Sequence, residues 1–572
     1  MGRAQIALFQ SRQNRKKTLK QGSLKSFIVM VICIGLSAFF TYFPITDSDI
    51  FWHLAAGREI IAQKHLLYTD PFSFTLVSPK WVDLHWLFQL LTYGIYCIGG
   101  LSGLLVFKAI AISVTTLIIA SIFPKPLYRI FSAIATVVFL YYARYLICIR
   151  PILLTMAFMV VYLLLFEQVR SGRRAKQWLL LCIPIQIIWT NSQGLYPVGL
   201  FIIAAYWLEN VAIEYLKKLQ TQKNMEKRPD HFFSWVLVAS CIACFANPYG
   251  ISGMLLPLTL FGRIMPNANN IYSTNISENI PLLALHGYES IYRTIVFVSL
   301  PFALLLFIVN FKKLRIAHII LVLGFGYLAF NAVRNVPLFI VIIVPLMSYL
   351  VSETFNDLEQ VWGISSAKII AALTLGGFCF LAFLGLEQYS IIKTYPHKSQ
   401  LSPFRFPQNI CNYLKANPVS GEMYNDLRYG GYLIWEFYPP KKVFADTRLI
   451  IRPPEFFAEY LAIGNNPELF FNVADKFHIT QAALPSAIFN EQHALIKALY
   501  RSLAWHLEFT DGTSFLFVKN IVSSRHAIDL ENSADVNTIK SSINKEWKNS
   551  EYIRNEAMGH FEEMVQYMLS GS

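Results

Sequence analysis

The stretch Phe27–His53 reads FIVMVICIGLSAFFTYFPITDSDIFWH, and its two halves obey different rules. Phe27 to Phe43 is an almost uninterrupted apolar run, long enough to cross a bilayer. Just beyond it stand Asp47 and Asp49, with Trp52, His53 and Arg58 on the turns that follow. Acids kept at a membrane surface are costly and chemically useful, which marks the pair as a candidate site. The structural alternative is that one aspartate caps a helix over Ile50–Gln63 by accepting backbone N–H bonds. A cap needs one acid, whereas two stand here.

The rest of the chain agrees with a membrane protein. Of 572 residues, 55% are hydrophobic and 15% aromatic, which excludes an ordinary soluble domain. Apolar runs end near Leu386. That divides the chain into a cytoplasmic basic N-terminus (1–26), a membrane domain (27–388) whose first external loop is 44–100, an extracytoplasmic domain (389–522) and a polar extension (523–572). The 49 basic and 35 acidic residues give a net charge of +14. Anionic membrane lipids or a phosphate-bearing lipid are the expected partners. Nucleic acid is not, because the basic residues form no continuous stripe. The eight cysteines show no disulfide framework, and the Cys241/Cys244 pair sits in an apolar helix where core packing explains it. The basic N-terminus leads into a full-length span with no small-residue cleavage site, so Phe27–Phe43 is expected to stay as a signal anchor.

Further spans are expected at Leu101–Phe123, Ile130–Tyr145, Leu153–Gln168, Trp178–Thr190, Val198–Ile213, Phe232–Phe245, Tyr292–Asn310, Ala317–Phe330, Leu338–Leu350 and Ile369–Leu386. Leu84–Ile98 is apolar but short, and Gly99-Gly100 joins it tightly to the next run. Treating it as a surface helix puts the clusters Arg170/Arg173/Arg174/Lys176, Lys217/Lys218/Lys223/Lys227/Arg228 and Lys312/Lys313/Arg315 on the same side as Arg15, Lys16 and Lys17. The expectation is therefore about eleven spans in a bacterial cytoplasmic membrane, N-terminus inside and C-terminal domain outside.

This topology leaves Arg144, Arg150 and Arg334 on the outer side, against the charge rule. Any one of them could snorkel to lipid headgroups. All three on one side with the acid pair are better explained by a bound anion such as a lipid phosphate. Asn191 and Gln193 in WTNSQG, Glu278 in SEN, and Asp83 and His85 in WVDLHW join that side, and Asn191, Gln193, Glu278 and His85, with His53 and Arg58, are candidate contacts for the substrate or its lipid phosphate. NPYG at 247–250 reads as a helix stop. The oxygen donors of Asp47, Asp49 and Glu278 suit Mg2+ or Mn2+, although no spacing demands a cofactor.

The strings ITDSDIFWHLAAGREI, TDPFSFT, WVDLHWLFQLL, WTNSQGLYPVGL, NPYG, RNVPLF, YNDLRYGGYLIWEF and VFADTR, in this order from Thr46 to Arg448, resemble bacterial membrane proteins of the GT-C glycosyltransferase superfamily. The resemblance implies a GT-C membrane fold, a polyprenyl-phosphate-linked sugar donor and inverting transfer on the non-cytoplasmic side. It places Asp47 and Asp49 in the acidic motif of the first external loop, and Arg150 and Arg334 at recurring arginine positions by local string only. The family carries His where Gln193 stands and a Glu-Trp pair at Glu278-Asn279, which puts a role for that histidine in doubt here.

Beyond Tyr389 the periodicity changes to that of a small α/β domain. Helices are expected over Tyr413–Ala416, Gly431–Phe437, Pro454–Ile463 and Gln492–Leu499, and extended segments over Glu422–Tyr424, Lys442–Ala445 and Gln481–Leu484. A hairpin should join Ala504–Thr510 to Ser514–Val518 across Asp511-Gly512, and Ile553–Leu569 has an amphipathic helical pattern. Asn425–Gly430 loosely resembles the acceptor-holding segment of oligosaccharyltransferases, which makes Asp426 and Tyr429 acceptor candidates beside the alternative of a buried turn. The leading expectation is a glycosyltransferase acting on a glycan, lipid or protein acceptor. An oligosaccharyltransferase or polymer ligase shares its logic. A transporter or lipid-binding scaffold fits less well, since no internal repeat is visible and the acids lie in loops.

Overall fold

The computed structural model describes residues 24–76, 79–220, 231–264, 270–313, 315–362, 366–394, 400–488, 490–520 and 527–570. Arg15, Lys16, Lys17, Lys223, Lys227 and Arg228 lie outside the described residues. The chain separates into two compact units, a helical unit (1–42 with 106–388) and a mixed unit (43–105 with 389–572). The segment 44–100, read from sequence as a loop of the membrane domain, thus belongs with the C-terminal part of the chain, as does the polar extension.

Eight described helices are long and apolar enough to cross a membrane: Leu24–Thr41, Trp86–Ser121, Pro126–Leu146, Ile152–Arg170, Pro197–Lys217, Ser290–Val309, Val333–Val361 and Lys368–Thr394. Each overlaps an expected span. The other three expected spans fall on shorter helices, Cys182–Thr190, Phe232–Ala243 and Ile316–Asn331. Leu84–Ile98 runs into the next span as the single element Trp86–Ser121, broken at Gly100, whose φ of 58° only glycine adopts readily.

The helix Phe232–Ala243 ends before NPYG, as the stop reading expects, but the stop does not lead into a loop. Asn247 accepts the Tyr249 amide at 2.9 Å and donates to the Cys244 and Gly250 carbonyls, and a new helix, Gly250–Ile264, starts at once. Within the helical unit, Val333–Val361 is the central element, with 89% of its apolar window buried against 11% for Lys368–Thr394. One core cluster joins Cys33, Phe40, Ala120, Ile130, Val137, Tyr141 and Leu384 from four helices.

The mixed unit has a four-stranded sheet in the order β1-β2-β4-β3, with β1 Glu422–Asn425, β2 Ile479–Pro485, β3 Trp505–Thr510 and β4 Ser514–Lys519. β1 runs parallel to β2, β4 is antiparallel to both of its neighbours, and the expected hairpin is β3–β4. Asp511 closes its turn by accepting the Thr513 and Ser514 amides, with Gly512 at φ 86°. A Cβ at Gly512 would strike Ile543 and Phe561, so the helices Ser533–Glu546 and Glu551–Leu569 seat directly on this turn.

The strand expected at Lys442–Ala445 does not join the sheet. Val443 pairs with Ser73 instead, its amide donating to Phe72 O at 2.9 Å and its carbonyl accepting from Phe74 N at 3.2 Å. The expected strand is reduced to this one bridge, because the partner of Val443 lies some 370 residues away, where no local pattern points.

Candidate active site

In the mixed unit the acid pair opens the helix Asp49–Gln63. Asp47 Oδ1 accepts the Asp49 amide at 3.2 Å, so Asp47 does part of the work of a cap. Asp49 is engaged differently: the Thr447 hydroxyl donates to its Oδ1. Both aspartates remain half-buried.

The helix is seated by groups it meets from Phe406 onward. Phe51 makes edge contacts with Tyr432 and Phe406 at 4.8 and 5.4 Å. Arg58 donates to the Trp435 and Tyr438 carbonyls at 3.2 and 2.9 Å and lies over the Trp435 ring. That corrects its expected part in holding a phosphate, because both ends of its fork already serve as ties between segments.

His53 is buried, 3.6 Å from the Trp52 ring and 5.5 Å from His85 between ring centroids. His85 Nδ1 meets Asp83 at 3.0 Å, and Gln89 donates to the other Asp83 oxygen at 2.6 Å. This aromatic and imidazole cluster surrounds His53, one turn beyond Asp49 on the same helix.

Sequence reading missed the group beneath it. Arg448 donates to both Asp446 oxygens and to Asp70, each at 2.8 Å, and all three residues are buried. Its guanidinium lies among the rings of Trp81, Phe72 and Trp52, at 4.7, 5.1 and 5.8 Å. Burial, the largest single influence, would raise the Asp446 carboxyl, but the Arg448 charge and hydrogen bonds together with the Arg452 charge outweigh it and hold the carboxyl below the usual carboxylate range.

Gly430 and Gly431 make the approach possible. A Cβ on Gly430 would strike the Ala445 carbonyl and Asp446, and one on Gly431 the Ser48 carbonyl. The visible signal was a repeated spacing, Asp426-Leu427-Arg428 and Asp446-Thr447-Arg448.

Asp426 and Tyr429 do not have the access an acceptor site needs. Both are buried. Asp426 caps the helix Leu427–Phe437 through the Arg428 amide, takes both ends of the Arg428 fork, and accepts from Tyr460 at 2.8 Å. Burial would raise its carboxyl, yet the Arg428 charge keeps it low. The buried-turn alternative describes this segment.

In the helical unit three expected residues come together from distant segments. Arg150 pairs with Glu278 at 2.5 Å. Arg334 lies within electrostatic reach of both, and the Val333 amide donates to Ile280 O. Among the described residues no hydrogen-bond partner meets the Arg334 guanidinium.

Arg144 is buried, bonded to the Tyr141 carbonyl at 2.6 Å and packed on the Tyr141 and Tyr145 rings. Its place against the charge rule is thus met by carbonyl and ring, with no lipid phosphate required. Asn191 ties two helices by donating to the Ile187 and Ala246 carbonyls. Gln193 Oε1 accepts the Gly194 amide at 3.1 Å.

Among the described residues no group of three or more His, Cys, Asp and Glu side chains is gathered to hold a metal ion. Asp47 and Asp49 offer oxygen donors, but Glu278, the third ligand expected, is committed to Arg150. The residues present do not fit a three-carboxylate metal site.

No protein-family model matches the chain, and no curated protein does. Solved structures do match. The oligosaccharyltransferase AglB from Archaeoglobus fulgidus, in complex with an inhibitory peptide and a dolichol-phosphate, shares a TM-score of 0.55 at 10% identity over 83% of this chain and 71% of that one. An apo-form A. fulgidus oligosaccharyltransferase gives 0.53 at 12% over 82% and 71%. A form tethered to an acceptor peptide gives 0.52 at 11% over 83% and 70%. Identity this low speaks for fold and not for chemistry. The chain shares the fold of these oligosaccharyltransferases, mainly helical with a small C-terminal sheet domain.

Proposed function

We propose that this chain is a membrane glycosyltransferase moving a sugar from a polyprenyl-phosphate-linked donor to an acceptor on the non-cytoplasmic side, with inversion at the anomeric carbon. The observation that carries the reading is the Arg150–Glu278–Arg334 group. Two guanidiniums against one carboxylate leave an excess positive charge and an unmatched fork, which is what a phosphate accepts bidentately.

In this reading the acceptor hydroxyl attacks the anomeric carbon and its proton passes to Asp49. The bond from that carbon to the phosphate oxygen breaks, and the polyprenyl phosphate leaves with the electron pair. Asp47 orders the helix start through the Asp49 amide. Low-dielectric surroundings favour a carboxylate acting as base.

A solved neighbour of the same fold holds a dolichol-phosphate, which supports a lipid phosphate as the donor class. An oligosaccharyltransferase is the second reading, supported by the same neighbours. The burial of Asp426 and Tyr429 counts against those residues as its peptide contact.

The test is binding and turnover by the purified full chain with undecaprenyl-phosphate-linked and undecaprenyl-pyrophosphate-linked sugars. Tight binding of undecaprenyl phosphate that weakens on Arg334→Ala, with sugar release by the wild type, is the expected result. Indifference of binding to Arg334→Ala would sink the donor assignment.

A further inference from the structure

The Asp-x-Arg segments of the mixed unit form the same turn twice. In each, the aspartate accepts the amide of the arginine two residues on and both ends of its fork, at 2.8 to 2.9 Å in Asp426–Arg428 and at 2.8 Å throughout in Asp446–Arg448. In each, the remaining guanidinium nitrogen reaches a second carboxylate, Glu491 in one and Asp70 in the other. The two turns differ at the middle residue, Leu427 against Thr447.

The leucine turn shows that the clip forms without a hydroxyl. The Thr447 hydroxyl is therefore surplus to the turn, and it donates to Asp49 Oδ1, 398 positions away in the chain. Neither partner is loosely held. Arg448 fixes the turn from below, and Gly431 lets the helix Leu427–Phe437 come up against the Ser48 carbonyl, next to Asp49.

We infer that Thr447 is a positioning residue that holds the Asp49 carboxylate in one orientation, so that the C-terminal part of the chain sets the geometry of the first-loop acid. The inference rests on the reading of Asp49 as the base. A carboxylate free to rotate loses the alignment that makes proton transfer efficient, and a fixed donor removes that freedom.

The experiment compares Thr447→Val, Thr447→Ala, Thr447→Ser, Asp49→Asn and the Asp49→Asn/Thr447→Val double variant as purified full-length chains. The probe is an undecaprenyl-phosphate-linked hexose, read as released undecaprenyl phosphate. Thr447→Val keeps the side-chain shape and should lower kcat about tenfold, the effect of one hydrogen bond to a charged group, with KM for the donor unchanged. Thr447→Ala checks the same loss should valine pack badly. Thr447→Ser should restore most of kcat, and Thr447→Val should cost nothing more once Asp49 is asparagine.

Full kcat in both Thr447→Val and Thr447→Ala, with Asp49→Asn inactive, overturns the positioning role and leaves the base reading standing. An additional loss from Thr447→Val in the Asp49→Asn background overturns it as well. Full kcat in Asp49→Asn overturns the base reading and the inference together.

Discussion

Arg448→Leu is the sharpest test of how the mixed unit is held. The substitution keeps an apolar stem among Trp52, Phe72 and Trp81 and removes the guanidinium from Asp446 and Asp70, both buried. Removing one partner of a buried ion pair costs about 3–5 kcal/mol. Asp70 keeps the Phe72 and Ser73 amides and the Ser73 hydroxyl, which places the estimate at the lower end, about 3 kcal/mol. That raises the population of the opened unit roughly a hundredfold.

Cys411 can report it. The residue is 1% exposed on the helix Gln408–Ala416, and burial pushes its thiol well up, so labelling requires opening. In a background with the other seven cysteines replaced, the variant should label about a hundred times faster than its parent. Labelling within twofold of the parent would show that the clip contributes little.

The pH dependence has a definite sign. Asp446 is held low in the folded chain, so its contribution is complete above the ordinary aspartate value of about 3.9 and is lost as pH falls toward the lower folded value. In Arg448→Leu the burial of that carboxyl is opposed only by the Arg452 charge and the amide of residue 448, so it takes up a proton at higher pH and the excess labelling should shrink as pH falls from neutral, after correction for thiol reactivity.

Arg334→Ala should weaken undecaprenyl phosphate binding by about 1.5–3 kcal/mol, and Arg334→Lys should recover only part of it for want of a planar fork; titration calorimetry in detergent reads both, and equal affinity for all three proteins leaves the guanidinium without a phosphate role. Asp49→Asn should lower turnover about 10²- to 10⁴-fold while undecaprenyl phosphate still binds, and retained turnover rules out the base. Gly431→Ala would ordinarily stabilise a helix interior by about 1 kcal/mol. Here its Cβ meets the Ser48 carbonyl, so Cys411 labelling should accelerate, and slower labelling would show that the close approach is not real.

The eight long spans were legible because a run of apolar residues is nearly all a bilayer helix requires. Gly250–Ile264 was not, because Asn-Pro-Tyr-Gly reads as a stop whether the next segment is a loop or another helix. Arg150 and Arg334 stood out as charges against the expected topology and Glu278 as an acid in an expected external loop, signals each carries in its own neighbourhood, and the structure brings the three together. Arg144 gave the same signal for a different reason, since a buried carbonyl and two rings satisfy it. The support of the acid pair was invisible. Thr447, Arg448 and Gly431 act on residues nearly four hundred positions away, and nothing near them in sequence names the partner.

The basic clusters used to orient the chain also need rereading, because several of those charges are not spare. Arg170 is paired with the buried Glu209, which also accepts the Ala317 amide at 2.8 Å. Arg315 pairs with Glu167, itself buried and met by Tyr206 and His318, both at 2.8 Å. Lys313 bridges Glu353 and Asp357 at 3.0 and 2.7 Å. A cation matched to a buried acid is placed by that acid, and it says less about which side of the membrane it occupies than an unmatched one.

Arg173 and Arg174 make no ion pair among the described residues, so they carry more of the orientation argument than their paired neighbours. Replacing Arg173 and Arg174 together by Gln should therefore weaken the topology signal more than Arg170→Gln and Arg315→Gln together. The paired substitutions should instead act on folding, because each strands a buried carboxylate at about 3–5 kcal/mol. Glycosylation-site or cysteine-accessibility mapping of the 171–176 loop separates the two outcomes. A larger inversion from the paired set would mean that Glu167 and Glu209 engage their arginines only after insertion, and the charge rule would then apply to the whole cluster.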